Sequence, residues 1–129
     1  MMTEIHSIAA LRPETMELLG QLEENIVELG DDNPHPPVEQ VFRALHTIKG
    51  ECSFIGLTDV AEFAHRLEEI LDLVRKKQME WSHELSRLML RAQDQLHILI
   101  GAHYGGASAD SRETAEILET LRQSQESQT

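Results

Sequence analysis

The chain has 129 residues, 40% of them hydrophobic, a length that favours one domain able to bury a core without disulfides or metals. Eleven Lys and Arg stand against 23 Asp and Glu, for a formal net charge of −12, and only 4% of the residues are aromatic. Such a surface repels a phosphate backbone and offers no row of stacking platforms, so nucleic acid is excluded as a partner. The opening stretch carries Glu4 where a secretory signal would place Lys or Arg, and His6 and Pro13 break its apolar run. No uncharged apolar segment is long enough to cross a bilayer, and the single cysteine, Cys52, cannot form an internal disulfide. The expectation is a soluble, cytoplasmic protein without membrane insertion.

In chain order, Pro13 opens a first helix over 13–29 with Leu18, Leu19, Leu22, Ile26 and Leu29 at helical spacing. Gly30 to Pro34 ends it in a loop. A second helix starts at Pro36 or Pro37, places Val38, Val41, Leu45, Ile48 and Cys52 on one face, and breaks at Ile55-Gly56-Leu57. Thr58 is the expected N-cap of a third helix over about 59–77, with Val60, Phe63, Ala64, Leu67, Ile70, Leu71 and Val74 on its stripe. Arg75, Lys76 and Lys77 lie at its end, which favours cations, and read as a solvated terminus.

Ser82 caps a fourth helix with Leu85, Leu88, Met89, Ala92, Leu96 and Leu99 as its stripe, stopped by Gly101, Gly105 and Gly106. Asp110-x-x-Glu113 has the form of a capping box for a short fifth helix, about 110–123, bearing Leu118 and Leu121. A polar tail follows. No segment alternates with period two, so the pattern predicts an all-α protein, an antiparallel four-helix bundle over about 10–102 with a short additional C-terminal helix, in one domain.

Among the seven histidines, His46 stands apart. It lies roughly 130° from the centre of the second helix's apolar stripe, on the solvent side. Phe42 sits one turn before it, with Lys49 three and Gly50 four residues after it. A mid-helix glycine costs about 1 kcal/mol relative to Ala and opens space beside His46, as a docking protein would need. His6, His35, His83, His97 and His103 have no organised neighbourhood in the sequence and read as surface or loop residues.

The string around His46 is more specific. LHTIKGECSFIGL, residues 45–57, resembles the signature of histidine phosphotransfer (HPt) domains, above all the N-terminal HPt domain of CheA-type chemotaxis histidine kinases. His46, Ile48, Lys49, Gly50, Phe54, Gly56 and Leu57 carry the match, and it continues into AHRLEEILD, residues 64–72, where His65 and Glu68 align without a gap. The resemblance covers about residues 10–100 and implies a phosphoryl relay in which His46 takes a phosphoryl group from a kinase catalytic domain and passes it to an aspartate of a CheY-like response regulator. It further implies that Glu68 hydrogen-bonds the other ring nitrogen, with Lys49 and His65 around the phosphoryl site. Glu51 and Cys52 depart from the small residues usual after the Lys-Gly pair. Cys52 is expected to pack in the core, and Glu51 to tune partner choice.

The residues themselves support this chemistry. An imidazole with a reference pKa of about 6.5 is a good nucleophile near neutral pH, and a carboxylate on its opposite N–H fixes the tautomer. His65 and Glu68 share one face of the third helix, able to meet His46 across an antiparallel pair. Partner contacts are expected at Phe42, Gly50, Glu51 and Ile55 beside His46. The chain has no Gly-rich nucleotide loop, so ATP and Mg²⁺ are expected to belong to its kinase and regulator partners, with no cofactor on the domain itself. The likeness favours a segment of a CheA-type kinase over a free-standing protein, monomeric in isolation. Two other readings are a metal-binding bundle using His46, His65 and Glu68, and a helical interaction module that is not phosphorylated.

Overall fold

The computed structural model describes residues 13–30, 37–106 and 108–126. Among these the secondary structure is helical: α1 (Pro13–Gly30), α2 (Val38–Phe54), α3 (Thr58–Arg75), α4 (His83–His103) and α5 (Ser111–Glu126). The expected positions of His6 and His35, the loop 31–36 and any turn before Pro13 lie outside the described residues. α1 packs on α2 and α4, and α3 packs on the same two helices, closing a four-helix bundle, while α5 lies on α4 with a lesser contact to α3. The stripes read from the sequence form its core: Leu19, Leu22 and Ile26 of α1 meet Val41, Leu45, Ile48 and Cys52 of α2, Phe63, Leu67 and Leu71 of α3, and Met89, Ala92 and Leu96 of α4.

Three helices end in the same way. After α2, Gly56 takes φ +87°, the Leu57 N–H donates to the Cys52 carbonyl at 2.8 Å, and the Gly56 N–H donates to Ser53. These two bonds satisfy carbonyls that a helix end leaves free, and only a left-handed residue between them closes the turn. Gly105 does the same after α4, with φ +89° and a 2.9 Å bond from the Gly106 N–H to the Gly101 carbonyl. After α3 the left-handed position is held by Lys77, φ +60°, between 3.0 and 2.9 Å bonds from Lys77 to Val74 and Gln78 to Leu73.

That turn geometry corrects two expectations. Thr58 is not the N-cap of α3 but its first residue, and its hydroxyl bonds back to the Gly56 carbonyl at 3.3 Å. The cap position falls to Leu57, because this side chain is drawn into the core as the turn closes and its carbonyl accepts the first helical bond from Ala61 at 2.9 Å. The third helix likewise stops at Arg75 rather than running to 77, since Lys77 has left helical space. Gly101 does not stop α4, which continues to His103 before Gly105 turns it.

Ser82 caps α4 as expected, accepting from the Leu85 N–H at 3.1 Å. The box at α5 is half made: Asp110 accepts from the Arg112 N–H at 2.9 Å, but Glu113 turns away to Arg91 of α4. α5 is also not short. It has 16 residues, extends into the stretch expected to be tail, and buries Ile117 as well as Leu121 against the bundle.

Candidate functional site

α2 and α3 run antiparallel, so their facing edges pair residues from opposite chain directions. Buried Ala44, Ala61 and Ala64 keep the two helices close along this seam. Just off the apolar stripes, His46 and Lys49 of α2 point to the same partner on α3. His46 Nδ1 lies 3.2 Å from Glu68 Oε2, and Lys49 Nζ donates to Glu68 Oε1 at 3.0 Å. One carboxylate thus holds both groups, one on each oxygen.

Burial is graded across this triad. The His46 side chain is 65% exposed, Lys49 24% and Glu68 11%. Among the described residues Glu68 is the only charged side chain counted as buried. A buried carboxylate is retained where it is hydrogen-bonded and paired, and here both conditions are met. A carboxylate can only accept, so in the neutral ring Nδ1 carries the proton and Nε2 holds the free lone pair. The site is therefore an exposed imidazole with a fixed tautomer and its nucleophilic nitrogen left open.

His65 does not join the triad. Its Nε2 faces Glu69, one turn on, at 3.4 Å, and both side chains are about half exposed. His65 instead borders an open groove shared with Lys49, Gly50 and Phe54, next to His46. Among the described residues no group of three His, Cys, Asp or Glu side chains has the arrangement a metal ion needs, so the metal-binding reading finds no support in the geometry.

The other residues singled out in the sequence fall around the same face. A Cβ added at Gly50 would meet nothing within 4 Å, so the space beyond His46 is open. Phe42 is half-buried, its ring nearly parallel to the imidazole, with centroids 6.3 Å apart and planes 18° apart. The Arg75 guanidinium carbon lies 4.1 Å over the Phe42 ring centroid. Arg75 is thus no solvated terminus. Ile55 packs partly against the core, whereas Phe54, at the end of α2, is 88% exposed and is the aromatic side chain that stands in solvent here. Cys52 is buried as expected, and burial pushes its thiol up to about 11, with Glu51 and Asp59 adding to the shift.

Sequence reasoning missed two contacts. His103, read as decoration, pairs its Nε2 with Asp59 Oδ1 at 2.7 Å, joining the end of α4 to the start of α3. No local pattern announces it, since the partners are far apart in the chain. Arg75 over Phe42 could have been inferred: both lie off their stripes, at matching heights of an antiparallel pair.

Comparison with known proteins decides the family. The family model for the Hpt domain matches residues 6–123. The chain belongs to the Hpt-domain family. Among curated proteins it is 36% identical over 109 residues to the chemotaxis protein CheA of Rhizobium meliloti, which covers 84% of this chain and 14% of that protein. It is 32% identical over 111 residues to CheA of Klebsiella aerogenes, covering 85% of this chain and 17% of that one. The sensor histidine kinase CheAY of Helicobacter pylori is 30% identical over 115 residues, 87% of this chain and 14% of its own length. The chain thus spans less than a fifth of these relatives. It is an Hpt domain, and no described helix is long and apolar enough to cross a membrane.

Proposed function

We propose that His46 is the phosphoryl carrier of this Hpt domain and that the group is carried on Nε2. The observation that carries this reading is the exposed imidazole whose Nδ1 is held 3.2 Å from the buried Glu68 carboxylate. The Nε2 lone pair attacks the γ-phosphorus of ATP held by a kinase catalytic domain. An N–P bond forms, the bond to the bridging oxygen breaks, and ADP leaves. The ring keeps its proton on Nδ1 and gains positive charge, which Glu68 stabilises across the hydrogen bond. Return to neutrality comes when an aspartate oxygen of a response regulator attacks the same phosphorus and the N–P bond breaks.

Glu68 orients and activates His46 in this reading. Lys49 holds the other oxygen of Glu68 and places an ammonium one turn from the phosphoryl group. His65, at the edge of the adjoining groove, is a neighbour of the phosphoryl site rather than part of the triad. The two partner domains reach His46 in turn over Gly50, Glu51, Ile55 and the exposed Phe54, with Phe42 as the half-buried edge of that surface. ATP and Mg²⁺ belong to those partners, and the domain works in the cytoplasm as a monomer without a cofactor of its own.

The test is direct. Incubated with a chemotaxis kinase catalytic core and Mg·ATP, the domain should take up acid-labile, base-stable label, and His46→Gln should take up none while keeping its helical spectrum. Label that persists in that variant would refute the assignment.

A further inference from the structure

A single hydrogen bond fixes one point of an exposed imidazole, not its plane. With only Nδ1 anchored on Glu68, the ring can still swing about its side-chain torsions, and 65% exposure leaves solvent free to let it. What fixes the plane is on the other side of the site. The Phe42 ring lies one turn before His46 and nearly parallel to it, at a centroid distance of 6.3 Å, within the range of offset aromatic pairs. Phe42 in turn lies beneath the Arg75 guanidinium of α3, 4.1 Å from its centroid. Arg75 is itself held from both helices: Nε donates to Asp72 of α3 at 2.8 Å, and Nη1 reaches Glu39 of α2 at 3.5 Å. Guanidinium, phenyl and imidazole form one chain of contacts across the α2–α3 seam, with its far end tied down by two carboxylates.

We propose that Arg75 is a positioning residue for His46, acting through the Phe42 ring. The inference rests on His46 being the phosphoryl carrier and adds a second restraint on its ring. Glu68 sets which nitrogen is protonated only while Nδ1 stays on its carboxylate, and the Arg75–Phe42 stack holds the ring plane that keeps it there and presents the free nitrogen. Arg75 does not touch the reacting atoms. Its own partners are Phe42, Asp72 and Glu39, and the Phe42 ring is what links it to the imidazole.

The experiment removes partner docking from the question by using phosphoramidate, a small donor with no protein surface. Its phosphorus is attacked by His46 Nε2, the N–P bond to the protein forms, the P–N bond of the donor breaks, and ammonia leaves. Six forms of the 129-residue chain are compared: the wild type, Arg75→Met, Arg75→Lys, Phe42→Leu, the Arg75→Met/Phe42→Leu double variant and His46→Gln, each checked for an unchanged helical spectrum. The phosphorylation rate should fall about two- to fivefold in Arg75→Met and comparably in Phe42→Leu. The double variant should be no slower than Phe42→Leu alone, because Arg75 has no route to His46 once the ring is gone. The ¹⁵N shifts of His46 in the unphosphorylated proteins give a second readout. They should report a fixed Nδ1–H tautomer in the wild type and a shift toward the averaged value in Arg75→Met, with partial recovery in Arg75→Lys. Wild-type rate and tautomer in Arg75→Met, or losses that multiply in the double variant, would overturn the proposal. Label that remains in His46→Gln would overturn the underlying assignment instead, and the tautomer readout, which needs no phosphorylation, would still decide what Arg75 does.

Discussion

The α2–α3 seam and the α4–α5 seam each set a glutamate of one helix against a basic side chain of the other, and they do different things with it. On α4–α5, Arg91 reaches Glu113 at 2.7 Å and Gln95 donates to Thr114 at 2.8 Å, and these groups satisfy one another. On α2–α3, the carboxylate is buried and has two suitors, and one of them, His46, keeps a ring nitrogen for something outside the molecule. Exposed ion pairs of the first kind contribute about 0–1 kcal/mol and leave no chemistry behind. A buried acceptor shared with an exposed imidazole gives a poised nucleophile. The difference lies in which partner is buried and in the imidazole that shares it, since a guanidinium has no ring nitrogen to keep free.

The largest way to break that contrast is on the quiet seam. Ile117 is fully buried where α5 meets the bundle, so Ile117→Ala should cost about 2–5 kcal/mol, read as a lower denaturation midpoint. The phosphorylation rate at His46 should not move, because α5 packs mainly on α4 and only lightly on α3. A rate loss in that variant would mean that the two seams are coupled.

The buried face of α2 makes the next contrast, with its own exposed face. Cys52 lies under the same helix that displays His46, and its thiol titrates at about 11 in the fold against an ordinary 9.0. Between those values the unfolded chain releases the proton and the native protein keeps it. Stability should therefore hold below about pH 9 and fall progressively as pH rises to about 11, while Cys52→Ala should flatten that slope. Equilibrium unfolding at a series of alkaline pH values reads it, and equal slopes in the two proteins would remove Cys52 from the account.

Glu68 should show the reverse profile to Ile117. Glu68→Ala should slow phosphorylation about tenfold or more, the scale seen when a carboxylate supporting a functional imidazole is lost. Its effect on stability should be only about 1 kcal/mol, since Lys49, the partner left behind, keeps access to water. A stability loss as large as that of Ile117→Ala, with the rate intact, would make Glu68 a structural residue.

How much of this was legible in the sequence follows from the range of the forces involved. The four stripes, the Ser82 cap and the exposed position of His46 are set by helical periodicity and local capping, and each can be read from neighbours within a few residues. The pairing of His46 with Glu68 was implied by the family resemblance; periodicity and an antiparallel placement of consecutive helices established only that the Glu68 face of α3 can meet His46. The Asp59–His103 pair and the turning of Glu113 toward Arg91 depend on where distant helices end up, which no local pattern encodes. His65 is the instructive case. Its spacing from Glu68 puts both on one side of α3, yet its ring turns to Glu69 one turn further on, because Glu68 is already taken from across the seam by His46 and Lys49.

The smallest effect sharpens the comparison at the end of α3, where the sequence departs from its own rule. The turns after α2 and α4 place glycine at the left-handed position, and the turn after α3 makes the same pair of hydrogen bonds as the turn after α2, with Lys77 at φ +60°. A side chain there brings Cβ against the backbone, at about 1–2 kcal/mol for an L-residue, part of which glycine's greater unfolded-state entropy would give back. Lys77→Gly should therefore stabilise the fold by up to about 1 kcal/mol, read as a higher unfolding midpoint. Lys77→Ala, which keeps the Cβ and removes only the charge, should leave the midpoint where it is. Because the turn lies two residues beyond Arg75, the pair also separates fold from site: the glycine variant should raise stability with the His46 rate unchanged. A gain in Lys77→Ala equal to that in Lys77→Gly would show that charge at the helix end, not the left-handed backbone, sets the stability of this turn.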